Sequence, residues 1–205
     1  MRLQHHDFRP ADLVGGDPAL DLVNTVTARD TEPRDWLDDY AALLRWAQRS
    51  GAFAEADLSA LQTQAAQAPA KAAAALARCK LLREALCDAL YALAHGREPS
   101  QADLDALDQA RLTASRAARL VSLDSRLQTQ WTVQRSGLDL IAHTLTAYAI
   151  ELLKDARLDR LRVCDGRDCG WVFLDTSKSG RRRWCDMATC GNVAKARRFQ
   201  QKQRE

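Results

Sequence analysis

Apolar residues recur every three or four positions through most of the first 155 residues, the period of helices that bury one face. The clearest run opens at Pro69 and closes at Gly96. Its stripe of Leu76, Cys79, Leu82, Leu86, Leu90 and Leu93 predicts the central helix. Upstream, Asp17 is the expected N-cap of a helix through Pro18-Ala19-Leu20-Asp21-Leu22-Val23-Asn24-Thr25-Val26, with Pro18 in its first turn. A second helix is expected from near Asp35 to Gly51, with Trp36, Tyr40, Leu43, Leu44 and Ala47 on its buried side. A third runs from about Glu55 to Gln67, and Ser100 starts another that continues to about Ala117. Ser136 is expected to cap a further helix with Leu138, Ile141, Leu145, Tyr148 and Leu152 inward.

Between Arg119 and Gln134 the helical period fails. Leu120, Val121, Leu123, Leu127, Trp131 and Val133 fit two short strands around Asp124-Ser125, a β-hairpin. Gly170–Asp175 reads as another strand, with Trp171 and Phe173 on one side and Val172 and Leu174 on the other. Cys190-Gly191-Asn192 opens the final helix.

Charge divides the chain where the pattern changes. The net charge is +3, but residues 157–205 carry +7 and residues 1–156 carry −4. A basic tail on a mildly acidic body suggests two functions. No stretch approaches the roughly 20 apolar residues that span a bilayer, and the polar N-terminus lacks a secretory apolar core. A cytoplasmic protein with no membrane partner is expected, and there paired cysteines hold metal more often than they form disulfides.

Six cysteines then sort into two groups. Cys79 and Cys87 are eight apart on one predicted helix, about 12 Å along its axis, too far to bridge, and read as core residues. Cys164, Cys169, Cys185 and Cys190 form two pairs of equal spacing, fifteen residues apart. Four thiolates in such pairs enclose a tetrahedral Zn²⁺, and closed Cys₄ sites are structural. Disulfides, free thiols and an iron–sulfur site are the alternatives that the spacing leaves open. A segment of about 45 residues buries too little apolar surface to fold alone, so one zinc per chain would hold it together. The expected fold is mainly α with a short β-hairpin. A helical domain spans 1–156, and a small Cys₄ zinc finger, treble-clef-like or ribbon, spans 157–205.

The tail's cations are clustered. Lys195, Arg198 and Lys202 share one face of the final helix, with Arg197 beside them, while Ala196 and Phe199 are expected to dock on the finger. Arg181, Arg182 and Arg183 make a second basic edge before Trp184. Guanidinium groups pair bidentately with phosphate, so double-stranded DNA is the expected partner. Asn192 either reads adenine or caps the helix. A solvated basic tail is the plainer reading. RNA or a protein is the alternative partner, and for RNA the aromatics Trp171, Phe173 and Trp184 would stack on bases.

Catalysis finds little support. His5, His6, His95 and His143 are scattered, and no Gly-rich phosphate loop, G-x-S-x-G elbow or HExxH run is present. His5-His6 reads as a solvated terminus, His95 as a helix C-terminal cap, and His143 as a surface or satisfied residue.

The run Cys164…Cys169-Gly-Trp-Val-Phe-Leu-Asp, then Arg182-Arg183-Trp184-Cys185-Asp-Met-Ala-Thr-Cys190-Gly-Asn and Ala194-Lys195-Ala196-Arg197-Arg198, resembles the CGNR zinc finger. Leu20-Asp21-Leu22-Val23-Asn24-Thr25 and Asp35-Trp36-Leu37 resemble the ABATE-type domain that precedes it in bacterial stress-induced transcription regulators. The resemblance implies zinc on the four tail cysteines, DNA binding by the tail, and a body that senses a small ligand; a homodimer through the body is a second role considered for it. At one position the motif differs: its arginine is Val193 here, which removes one candidate contact.

Overall fold

The structure is a computed structural model; it describes residues 1–203, with the side chain of Lys202 outside the description. In chain order the elements are β1 (Arg2–Leu3), α1 (Pro18–Val23), β2 (Val26–Thr27), β3 (Arg34–Asp35), α2 (Tyr40–Ser50) and α3 (Glu55–Gln67). They continue with α4 (Pro69–Ala94), α5 (Gln101–Ala117), β4 (Arg119–Leu123), β5 (Arg126–Gln130), α6 (Val133–Ser136) and α7 (Leu140–Lys154). The tail contributes β6 (Leu161–Val163), β7 (Val172–Leu174), a π turn over Met187–Gly191, and α8 (Asn192–Lys202).

The fold is mainly α, and α4 is its hub: Ala75, Cys79, Leu86 and Leu90 are buried among α1, α2, α3, α5 and α7. Local signals set most boundaries. Asp17 accepts from the Ala19 amide at the start of α1, and Ser100 accepts from the Asp103 amide at the start of α5. Gly51, at φ 68°, closes α2 in the left-handed conformation. Asp124 and Ser125, at φ 50° and 62°, form the two-residue turn between β4 and β5.

Three expectations need correction. Asp35 does not begin a helix. It ends β3, which pairs parallel with β1 and antiparallel with β2, and Asp39 caps α2 by accepting from the Ala42 amide. Asp35 is drawn inward because Arg83, 1% exposed, grips its two oxygens at 2.8 and 2.9 Å, and Lys80 adds a third contact at 2.8 Å. Burial alone would raise the Asp35 pKa; the Arg83 hydrogen bonds and charge outweigh it and hold it below the usual carboxylate range. Secondly, Ser136 does not cap α7. It closes α6, and its hydroxyl lies 3.1 Å from His143 Nδ1, with Tyr148 on the exposed side of α7. Thirdly, two elements end early: α1 stops at Val23, with Val26 entering β2 instead, and β5 stops at Gln130, which leaves Trp131 outside the hairpin and Val133 at the start of α6.

The tail shares the body's core. Val172 and Phe173 are fully buried and Leu174 nearly so, in one continuous cluster with Leu20, Leu22, Trp36 and Leu86. Both faces of β7 are covered, which is why it reads as an uninterrupted apolar run. Its backbone is also claimed by the body: Asn24 donates to Val172 O and accepts from Val172 N, both at 2.9 Å. Leu174 N donates to Gly15 O at 2.9 Å, and Ala28 N donates to Cys169 O at 2.9 Å. Trp171 meets Trp36 edge to face at 5.6 Å.

Candidate metal centre and nucleic-acid interface

β6 and β7 pair antiparallel, and the loop between them carries Cys164 and Cys169. Cys185 and Cys190 come from the segment leading into α8. A knuckle at a hairpin tip and a second pair at a helix start make a treble-clef arrangement, not a ribbon. The four sulfurs all lie within 4.8 Å of one another. Cys169 Sγ and Cys190 Sγ each stand 3.7 Å from Cys185 Sγ. A tetrahedron with metal–sulfur bonds of about 2.3 Å has edges of about 3.8 Å, so these separations match a zinc site. The four cysteines fit one structural zinc ion.

The surroundings are built for thiolates. The amides of Gly166 and Cys185 point at Cys164 Sγ, at 3.4 and 3.3 Å. A Cβ at Gly166 would stand 3.0 Å from Cys190 Sγ and 3.1 Å from Cys169 Cβ, so a side chain there would intrude on the ligand cage. Hydrogen bonding among the crowded sulfurs splits them: Cys164 and Cys190 are held below the usual thiol range, while Cys169 and Cys185 are kept protonated above it. A dication enclosed by all four would reverse that preference. Cys79 and Cys87 contrast with this set: both are buried core residues, as expected, and burial pushes their thiols up to about 12.

The metal loop is anchored on the other side too. Gly170, at φ 70°, leaves no room for a Cβ against the Tyr91 hydroxyl, which donates to Gly170 O. Arg29 abuts the same glycine and pairs with Glu84 at 2.7 Å. Asn24 and Gly15 carry no local mark of a finger-holding role, because their partners Val172 and Leu174 lie more than a hundred residues away. Only the run Leu20–Thr25, already tied to the resemblance, pointed toward Asn24.

The expected nucleic-acid residues separate by environment. Lys195, Arg197 and Arg198 are exposed on α8, and Arg197 makes one loose contact with Asp168 at 3.8 Å. Arg181 is exposed, and Arg183 pairs with Asp165 at 2.7 Å while lying over the Trp184 ring. Arg182 is turned inward: its guanidinium donates to Trp184 O and sits 4.5 Å over Phe173. Asn192 is exposed and donates back to Ala188 O at 3.2 Å; it does not cap α8. The expectation for Lys202 falls outside the described side chains.

Phe199 corrects another expectation. It does not dock on the finger and is 64% exposed, because α8 leaves the module after Gly191 and stands in solvent. Trp171 and Phe173 are buried and Trp184 is half-buried, which removes the first two from any stacking role. His6 is not a solvated terminal residue: it stacks on Trp36 at 3.7 Å and bonds Asp12 at 2.8 Å.

The family model described as CGNR zinc finger matches residues 160–203. The ABATE model, described as "Putative stress-induced transcription regulator", matches residues 16–156. The chain belongs to the ABATE family. Its ABATE body is thus followed by a CGNR finger, and the two meet at the Asn24–Val172 contact. No curated protein matches the chain. No helix among the described residues is long and apolar enough to cross a membrane.

Proposed function

We propose that this ABATE protein is a cytoplasmic, non-enzymatic transcription regulator that grips double-stranded DNA with α8, while its body senses a small ligand or pairs two copies. The observation that carries the reading is α8 itself. It projects from the zinc site, almost every described residue on it is exposed, and its cations Lys195, Arg197 and Arg198 face no acid on the helix. A helix of this width enters a major groove. Arg181 and Arg183 add a second edge. Zinc on four thiolates contributes −2, leaving the tail near +5. Zinc here is a clamp: with four sulfur ligands it keeps no open position for substrate.

Salt titration of duplex binding tests this. Neutralising about 4–6 phosphates gives a log–log slope of roughly −4 to −5. Arg198→Ala should weaken binding to all duplexes alike and reduce the slope by about one. A zinc-loaded chain that binds no duplex at about 50 mM salt would sink the proposal. One observation favours a second reading, a protein partner: Val193 and Phe199 expose apolar surface on α8, 51% and 64%. RNA competitor and a Phe199→Ser variant in the same titration separate these partners.

A further inference from the structure

We propose that the cleft between α4, α5 and α7 binds a small, largely apolar molecule carrying one positive charge. The proposal deepens the sensing role suggested for the body and is independent of DNA binding by α8.

The cleft has a volume of about 460 Å³, within the range of small-molecule sites. Its walls are apolar because of where small residues fall. Ala106 and Ala110 lie one turn apart on α5 and face Leu82 and Ala85 of α4 and Ala142 of α7. Larger side chains there would close the gap by ordinary helix packing. Leu81, at the rim, is left 70% exposed.

Convergent polar groups distinguish the cleft from a packing defect. His143 is only 9% exposed yet lines the cleft. Its Nδ1 is taken by Ser136 Oγ at 3.1 Å, and its Nε2 has no partner among the described residues. Burial lowers its pKa, which favours the neutral ring. Thr146 donates to Ala142 O at 2.7 Å, leaving its oxygen free to accept.

The charges along the cleft are not balanced at both ends. Arg78 and Asp139 neutralise each other through two bonds, 2.8 and 2.9 Å. Glu84 is spoken for by Arg29 and Arg83, each at 2.7 Å. Asp103 bonds only Ser100 and has no cationic partner among the described residues. An apolar trough ending at a carboxylate with no cationic partner among the described residues selects a hydrophobic cation over an anion.

The test uses the full zinc-loaded chain and three probes sharing one bicyclic ring: 2-(aminomethyl)naphthalene, 2-naphthalenemethanol and 2-naphthoate. Isothermal titration should give one saturable site, with the amine at least about 5-fold tighter than the alcohol and the carboxylate weakest. Asp103→Asn should bring the amine to within about 2-fold of the alcohol while leaving the alcohol's affinity unchanged. Ala106→Trp, at an exposed position on the cleft wall, should abolish binding of all three. The proposal is overturned by no saturable site, by an amine preference below that margin, or by amine binding indifferent to both variants.

Discussion

Two antiparallel hairpins in this chain have opposite fates. β4–β5 runs five residues a side, yet nearly every position is exposed, with Leu120 at 71% and Leu127 at 74%. β6–β7 runs three residues a side, and β7 is buried on both faces. Length and pairing do not decide the difference. The longer hairpin is held by its own ladder and the left-handed turn at Asp124-Ser125. The shorter one is held by Asn24, Gly15 and Ala28 from the body and by four cysteines at its tip and flank. Burial here is a tertiary property, conferred by backbone partners far away in sequence.

Metal removal should break the contrast most severely. Stripping zinc, or changing Cys169 to Ser, removes on the order of 10 kcal/mol of folding free energy from the tail. Because β7 lies in the common core, thermal unfolding of the helices should shift down as well, read by circular dichroism. A helical melting curve indifferent to chelation would show the hairpin to be a passenger.

Asn24→Ala comes next. It strands the buried Val172 N–H and C=O at a cost of about 2–5 kcal/mol, measurable by denaturant unfolding, with zinc retained at first. Loss below about 0.5 kcal/mol would mean that water satisfies β7 instead.

A pH series sharpens the comparison through Asp21, which accepts from the Gly15 amide at 2.8 Å and so steadies the loop that pairs with Leu174. Burial raises its pKa to about 7. The folded state thus binds a proton that the unfolded state releases near pH 4. Stability from this group is complete below about pH 4 and is lost as pH rises through about 7. From pH 5.5 to 8 the loss is about 2 kcal/mol, and Asp21→Asn should flatten that difference relative to the parent. Equal slopes in the two proteins would remove Asp21 from the account.

The smallest effect belongs to the exposed hairpin. Leu127→Ser should change stability by no more than about 0.5 kcal/mol, while improving solubility in a precipitation assay. A larger loss would mean that the hairpin packs on something in solution.

What the sequence could reveal follows the same division. α3, α4, α5 and the β4–β5 turn were legible because caps and periods are written within a few residues of each boundary. The cysteine pairs were legible because metal chemistry fixes its ligands by type and spacing. Asp35 was misread as a helix start because its carboxylate answers to Arg83, 48 positions away. β6 leaves no signal because Arg162 interrupts its three residues, whereas β7, equally short, is an unbroken apolar run. Phe199 looked like a docking residue by spacing alone, and no pattern signals that its helix leaves the module.

The Asn24 clamp also bears on how such a finger can be inherited or transplanted. Grafted onto a foreign protein, residues 160–203 would keep their ligands but present Val172 and Phe173, both 0% exposed here, to water. The recipient would need a matching asparagine and an apolar seat in the right orientation. A recombination that cut the chain near residue 157 would therefore yield two sticky halves, and the finger travels only with the partner that shelters it.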